Sequence, residues 1–295
     1  MEEPAPTSVK SPPKWPIFLL LAAALIVPAT FWRQSWFGSH LVDEEILRRL
    51  GQVENPRQLQ HACEQISRRM QRDPQGARQF YDPLVALADH PDEQIRCVVA
   101  WLMGEDGGGY QGFHQALLGL VNDQAPGVRY NAALALVRFD EQAARPVLCE
   151  MLVPYTVSAE WQGPSSQGAV IESLGRKDPV RPRMQIALVD TGQEEPQPVL
   201  TPLGGRIGQF LVGVGRPVAK GQPLCTIEPE FQQIYQALRA LTLVGKPEDE
   251  EYVQPYLDPD NSFSGAQRSR LQTQARLATE AIRRRLNDLS RRNAG

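Results

Sequence analysis

Cysteine and histidine are both scarce in this chain of 295 residues, with four of each, and neither type falls at a metal-ligating spacing. Cys63, Cys97, Cys149 and Cys225 lie far apart with no CxxC pair, and His61 beside Cys63 is too little to hold an ion. The first three cysteines sit in helical patterns, where the expectation is a small buried apolar residue. An excess of one charge is also missing: 31 Lys and Arg face 34 Asp and Glu, a net charge of -3, which gives no whole-chain reason to expect nucleic acid as a partner. Catalytic signatures are absent too. There is no GxSxG, no HExxH and no pair of acids with a reason to titrate abnormally. The stretch "GEDGGGYQG" lacks the Lys and Ser or Thr of a phosphate loop and reads as a flexible connection. The expectation is a protein that is not an enzyme, with no catalytic, cofactor-binding or metal-ligating residues and no cofactor.

What the chain does contain begins with an apolar run. Residues 15–32, "WPIFLLLAAALIVPATFW", carry no charge and have Trp at both ends. At 1.5 Å per residue such a run approaches the roughly 30 Å of a bilayer core, and the end tryptophans suit its interfaces. A cleaved signal peptide competes, because Val27 and Ala29 satisfy the small-residue rule, as does a buried helix. Lys10 and Lys14 precede the run, whereas Asp43, Glu44 and Glu45 follow it. The polar, proline-rich start predicts a disordered tail at 1–14 and the apolar run a transmembrane helix at 15–32, and the charge bias orients them as an inner-membrane, single-pass protein with a cytoplasmic tail and its bulk in the periplasm.

Helical repeats come next, over 40–153. "EQIRCVVAWLMG" and "PGVRYNAALALVRF" superpose at a period of 33, with Ile95 on Val128, Arg96 on Arg129 and Ala100 on Ala133. Each block is amphipathic at helical spacing and follows a turn-forming segment, "DHPDEQ" or "NDQAPG". The apolar residue followed by Arg and then small residues resembles HEAT-type repeats. That resemblance implies a stack of helix pairs, packed closely where the side chains are small, with each Arg free to bridge to an acid on a neighbouring loop. Helical grammar returns over 231–292 as "QQIYQALRALTLVGKPEDEEYVQPYLD" and a long terminal helix with Leu271, Ala275, Leu277, Ile282, Leu286 and Leu289 on its apolar side. Glu248 to Glu251 read as a solvated turn and helix start, and Arg283, Arg284, Arg285, Arg291 and Arg292 as a wet face or a site for acidic headgroups or an acidic partner.

Between the two helical regions, 165–230 follows strand-and-turn grammar. Short strand-like runs at 169–175, 183–190, 198–200, 206–212 and 223–227 alternate with turns, and Gly205, Gly215 and Gly221 stand where positive φ is needed. The register Pro202, Gly205, Ile207, Phe210, Val212, Gly215, Val218, Lys220, Gly221, Gln222, Leu224, Ile227 resembles biotinyl/lipoyl-like domains and the half-motif of membrane fusion proteins, the periplasmic adaptors of efflux and secretion systems. The resemblance implies a barrel-sandwich hybrid. A carrier of that family needs a lysine after the last strand, and here the strand runs into "IEPEF", where Pro229, Glu230 and Phe231 occupy the attachment stretch. Lys220 and Arg206 read as solvated turn and edge residues.

The fold class expected is therefore α+β: an N-terminal transmembrane helix and a HEAT-like α-solenoid interrupted by a small all-β barrel-sandwich hybrid. The function expected is a membrane-anchored, non-catalytic adaptor of the cell envelope, bound to a protein partner there, such as an inner-membrane transporter in efflux or secretion. A lipoyl- or biotin-type carrier, an enzyme subunit or a purely structural scaffold of a membrane complex is the alternative.

Overall fold

The computed structural model describes residues 41–51, 56–107 and 109–293. The tail at 1–14 and the run at 15–32 lie outside them. Among the described residues no helix is long and apolar enough to cross a membrane, and the expected inner-membrane, periplasm-facing placement is corrected on that finding. The chain divides into two compact units, Met1–Ile46 and Leu47–Gly295. In the first, Val42 accepts the N–H groups of Glu45 and Ile46 at 3.0 and 3.1 Å, opening helix α1 (Asp43–Leu50) with three acids at its positive end.

The second unit continues with α2 (Pro56–Arg72), α3 (Pro74–Ala77), α4 (Tyr81–Ala86), α5 (Glu93–Gly104), α6 (Gln111–Leu120), α7 (Pro126–Leu136) and α8 (Arg145–Glu150). The starts of α5 and α7 follow from local chemistry. Asp92 caps α5 by accepting from Gln94 N at 2.9 Å, and Pro126 takes the first position of α7, where a missing N–H costs nothing. Ile95, Val99, Leu102 and Met103 of α5 are buried, as are Val128, Ala132, Ala133 and Leu136 of α7, and α5 and α7 pack along their length. Each large side chain so buried contributes about 1.5–3 kcal/mol. Gly104 sets how closely the two helices meet, since a Cβ there would come within 2.9 Å of Ala135 Cβ.

Helices α4 and α5 form one pair, and α6 and α7 the next. The third pair is split. Its first member is α8, and its second, α9 (Phe231–Val244), begins 80 residues later and packs on α8 and α7. A last pair joins α10 (Glu250–Val253), with the 3-10 turns on either side of it, to α11 (Gly265–Asn293). Helix α11 lies along α9 and buries Leu271, Ala275, Ala278 and Ile282. Leu277 and Leu286 depart from the expected apolar side and are 47% and 44% exposed. Leu277 falls six residues from Leu271, off a stripe that advances by three and four, and Leu286 lies one turn past Ile282, where α9 has ended at Gly245. The Leu289 side chain is outside the description.

Strands β1 (Tyr155–Ser158), β2 (Gln167–Ser173), β3 (Pro179–Val180), β4 (Gln185–Asp190), β5 (Gln197–Leu200), β6 (Gly205–Phe210), β7 (Pro217–Ala219) and β8 (Pro223–Glu228) occupy the split. They form two antiparallel four-stranded sheets, β1-β8-β6-β3 and β5-β4-β2-β7. Both sheets feed one core: Val157, Ile207 and Leu224 from the first meet Val170, Ile186 and Val199 from the second. The sheets are two open layers, each with two edges, so the closed character of a barrel is not what the strands form. Strand β1 pairs with β8, Tyr155 opposite Ile227, so the chain enters and leaves this cassette on neighbouring strands. Two ends about 5 Å apart fit a turn between paired helices without spreading them.

Arginine forks tie successive pairs together. Arg96 Nε and Nη2 donate to Asp123 Oδ2 and Oδ1 at 2.6 and 2.9 Å, while Nη1 donates to the carbonyls of His90 and Pro91 at 2.7 and 3.1 Å. Arg129 repeats the pattern one period later, forking onto Glu150 and donating to the carbonyls of Asp123 and Gln124 at 2.9 and 3.0 Å. Arg145 on α8 forks onto Asp249 at 2.7 and 2.8 Å and also reaches Glu248 at 2.7 Å, clasping chain on the far side of the cassette. Asp249, expected in a solvated turn, is instead buried. It also accepts from Lys246 N at 2.8 Å and faces the Cys149 thiol, whose pKa burial pushes up to about 12.

Removing one member of such a pair strands the other charge. Asp249→Ala is expected to lower the unfolding free energy by about 3 kcal/mol in urea titration, with Arg145→Met in the same background recovering part of that loss. The Asp123 carboxyl sets an acid limit. Burial pushes its pKa up, but the Arg96 guanidinium, the Ala125 N–H and Arg129 outweigh burial and hold it below the usual carboxylate range. A folded pKa below the unfolded one means that the stabilisation is fully present above the unfolded value, about 3.9, and is lost as pH falls through the folded value. The stability gap between the natural chain and Asp123→Asn should therefore be constant near neutrality and shrink below about pH 4, as followed by thermal unfolding.

Candidate binding cleft

The cassette meets the resumed helices at a cleft of about 640 Å³. One wall is strand: Pro179, Gly205, Arg206 and Glu228. The other comes from the helices and their turns, with Phe231, Tyr256, Asp258, Asp260 and Phe263. Pro154 and Pro229, at the two ends of the cassette, line it as well. Tyr256 is fixed by donating to Leu152 O at 2.6 Å, so its ring is a wall and not a mobile flap. Asp260 folds the turn by accepting from Ser262 N at 2.9 Å and from the Ser262 hydroxyl. Those bonds, with Lys177 and Arg206 nearby, hold its carboxyl below the usual range. Arg206 donates to Ser262 O at 3.0 Å, linking strand β6 to the helical side.

A second cleft, about 530 Å³, lies where Tyr155, Arg183 and Pro202 of the cassette region face the turns at Pro91–Glu93 and Gln124–Pro126. Its Arg96 is already committed to Asp123.

The residues singled out by sequence are dispersed. Lys220 is an exposed turn residue whose Nζ donates to Gly163 O at 3.3 Å, far along β7 and β8 from "IEPEF". Pro229, Glu230 and Phe231 all line the cleft. Of the cysteines, Cys63, Cys149 and Cys225 are buried and Cys97 is only partly so, its sulfur 3.1 Å from Asn131 Nδ2. Among the described residues no cluster of three or more His, Cys, Asp or Glu could hold a metal ion. Three basic side chains of the Arg-rich end of α11 are engaged within the chain. Arg283 pairs with Glu250, Arg284 with Glu280 at 3.2 Å, and Arg285 caps α9 through Gly245 O at 2.9 Å and Leu243 O at 2.6 Å. The Arg291 and Arg292 side chains are outside the description. The loop read as a flexible connection is tied down by Asp106, which accepts from Gly109 N, Tyr110 N and the Tyr81 hydroxyl at 3.0, 2.9 and 2.5 Å.

Sequence reading did not find the cleft. Its only linear sign is the alternation of Pro, aromatic and acidic residues in "IEPEF" and "QPYLDPDNSF", two segments about 25 residues apart.

A family model described as HEAT repeats matches residues 81–160. No curated protein matches the chain. Among solved structures, the chain is similar to one in the structure of the complex of CpcE and CpcF of phycocyanin lyase from Nostoc sp. PCC7120, at 15% identity and a TM-score of 0.43, covering 84% of this chain and 67% of that one.

Gly205 lets β6 run against β8 at the cleft edge. Its φ is +155°, and a Cβ would collide with the Glu228 carbonyl and approach Ile227 Cγ2 to 2.6 Å. Gly205→Ala should cost about 1–3 kcal/mol and raise amide exchange in β6 and β8 ahead of α5 and α7, as read by hydrogen-exchange mass spectrometry.

Proposed function

We propose that this chain is a non-catalytic interaction protein: the stacked helix pairs are the frame, and the inserted sheets complete a cleft that takes a segment of a protein partner. The observation that carries this reading is the junction cleft, whose volume of about 640 Å³ is walled on one side by strands and on the other by helices and falls in the range of pockets that enclose a ligand. HEAT-type repeats, matched over 81–160, build extended surfaces of the kind used to bind proteins. The cassette, with its two open sheets, is read as an unmodified relative of biotinyl/lipoyl-like domains in sequence register only. Supporting that reading, the stretch where a carrier would present its lysine is Pro229–Phe231, placed in the cleft wall. Nothing in these features selects a transporter as the partner.

The test is a photo-crosslinking side chain introduced in cells at Gln232, on the cleft wall, and separately at Glu194, in the exposed turn between β4 and β5. The expected result is a discrete protein adduct at Gln232 with none at Glu194. Adducts at neither position, or equally at both, would overturn the assignment of the cleft.

A further inference from the structure

The cleft has an unbalanced chemistry. Four carboxylates line it, those of Glu228, Glu230, Asp258 and Asp260, against the single guanidinium of Arg206. Arg206 is spent on Ser262 O, and Asp260 is spent on Ser262. Among the described residues, Glu228, Glu230 and Asp258 form no ion pair, in contrast to the acids of the stack, where Asp123, Glu150, Glu248 and Asp249 all face arginines.

The donors in the walls are largely committed: Arg206 to Ser262 O, the Tyr256 hydroxyl to Leu152 O and the Ser262 hydroxyl to Asp260, which leaves the side-chain amides of Gln232 and Gln267. Five prolines line the cleft, at 154, 179, 229, 255 and 259, and none has an N–H to offer. A partner strand adding itself to the sheet edge here would meet Pro179 in β3, a two-residue strand, so backbone pairing is a poor mode of recognition. What remains is apolar surface from the prolines, Phe231, Ile234 and Phe263, with the amides of Gln232 and Gln267 and the carboxylates of Glu228, Glu230 and Asp258 around it. A ligand that satisfies such a site brings its own donors and positive charge. The volume suits a segment of a few residues.

Resting on the reading of the cleft as protein-binding, we infer that its occupant is an extended cationic segment, which sets arginine or lysine side chains against Glu228, Glu230 and Asp258 and an apolar residue, proline among them, against the Phe263 wall.

The test uses the full chain and a fluorescein-labelled peptide of alternating arginine and proline, with the glutamate and proline counterpart as control, followed by fluorescence anisotropy. The arginine peptide should bind and the glutamate peptide should not, with affinity falling as salt is raised. The double variant Glu228→Gln, Asp258→Asn should weaken binding about tenfold or more, with an unchanged circular dichroism spectrum. Glu194→Gln with Glu195→Gln, in an exposed turn away from the cleft lining, should leave it unchanged. Equal binding of the two peptides, no binding of the arginine peptide, or full affinity in the Glu228→Gln, Asp258→Asn chain would overturn the inference. If the arginine peptide fails while crosslinks at Gln232 persist, the cationic chemistry is wrong and the protein-binding cleft stands. If both fail, the cleft assignment falls as well.

Discussion

The fork of Arg96 onto Asp123 is the constraint on which the helical frame depends. Arg96 and Asp123 are only 16% and 10% exposed, so the pair has lost most of its water. Desolvation on that scale can cancel the Coulombic gain. What favours the arrangement is its completeness: one guanidinium holds two carbonyls of its own turn and two oxygens of the next. The geometry fixes how one helix pair sits on the following one. Arg129 repeats the two carbonyl contacts at the same offsets and forks onto a different acid, Glu150, and its acceptors include the Asp123 carbonyl, so the two forks share a residue. The stack is thereby registered by polar geometry as well as by apolar burial.

The same device explains how the frame tolerates an insertion. Arg145 and Asp249 are 104 residues apart, yet they meet with side chains 11% and 7% exposed. The intervening cassette can be accommodated because β1 and β8 are neighbours, so the chain returns to within a strand spacing of where it left. Loop-closure entropy then asks little more than an ordinary turn would. Helix α9 resumes against α8 and α7, and the frame continues into α11.

Much of this was legible in residue order, and the failures have physical causes. The 33-residue register of Ile95, Arg96 and Ala100 on Val128, Arg129 and Ala133 gave the repeat; the expected bridge to an acid on a neighbouring loop is made by Arg96 onto Asp123, whereas Arg129 reaches Glu150 at the end of helix α8. Five strands were visible from their apolar runs. Strands β1, β3 and β7 were not: β3 and β7 are too short to show a period, and β1 begins straight after the helical region with a single buried residue, Val157. Asp249 looked like a solvated turn residue because its partner lies on the other side of an insertion that no local window spans. Leu277 was placed on the wrong side of α11 by counting leucines, whereas the buried stripe is completed by Ala278. The cleft escaped altogether, being a property of two distant segments that carry nothing distinctive alone.

That cleft is a consequence of joining two rigid bodies through prolines. A helix stack and a two-sheet cassette are each packed around a core of their own, and neither can deform to fill the wedge where they meet. Pro154 and Pro229 set the backbone at the two crossings and remove donors that would otherwise bridge the gap. Among the described residues, Glu228, Glu230 and Asp258 face the wedge without an ion pair, unlike Asp123, Glu150 and Asp249 in the frame. In the carrier pattern the residues after the last strand would hold a lysine out in solvent. Here they turn at once into α9, and Phe231, its first residue, lies under Arg270, whose guanidinium carbon is 5.2 Å from the ring centre. Pro229, Glu230 and Phe231 are thereby parts of the cleft wall.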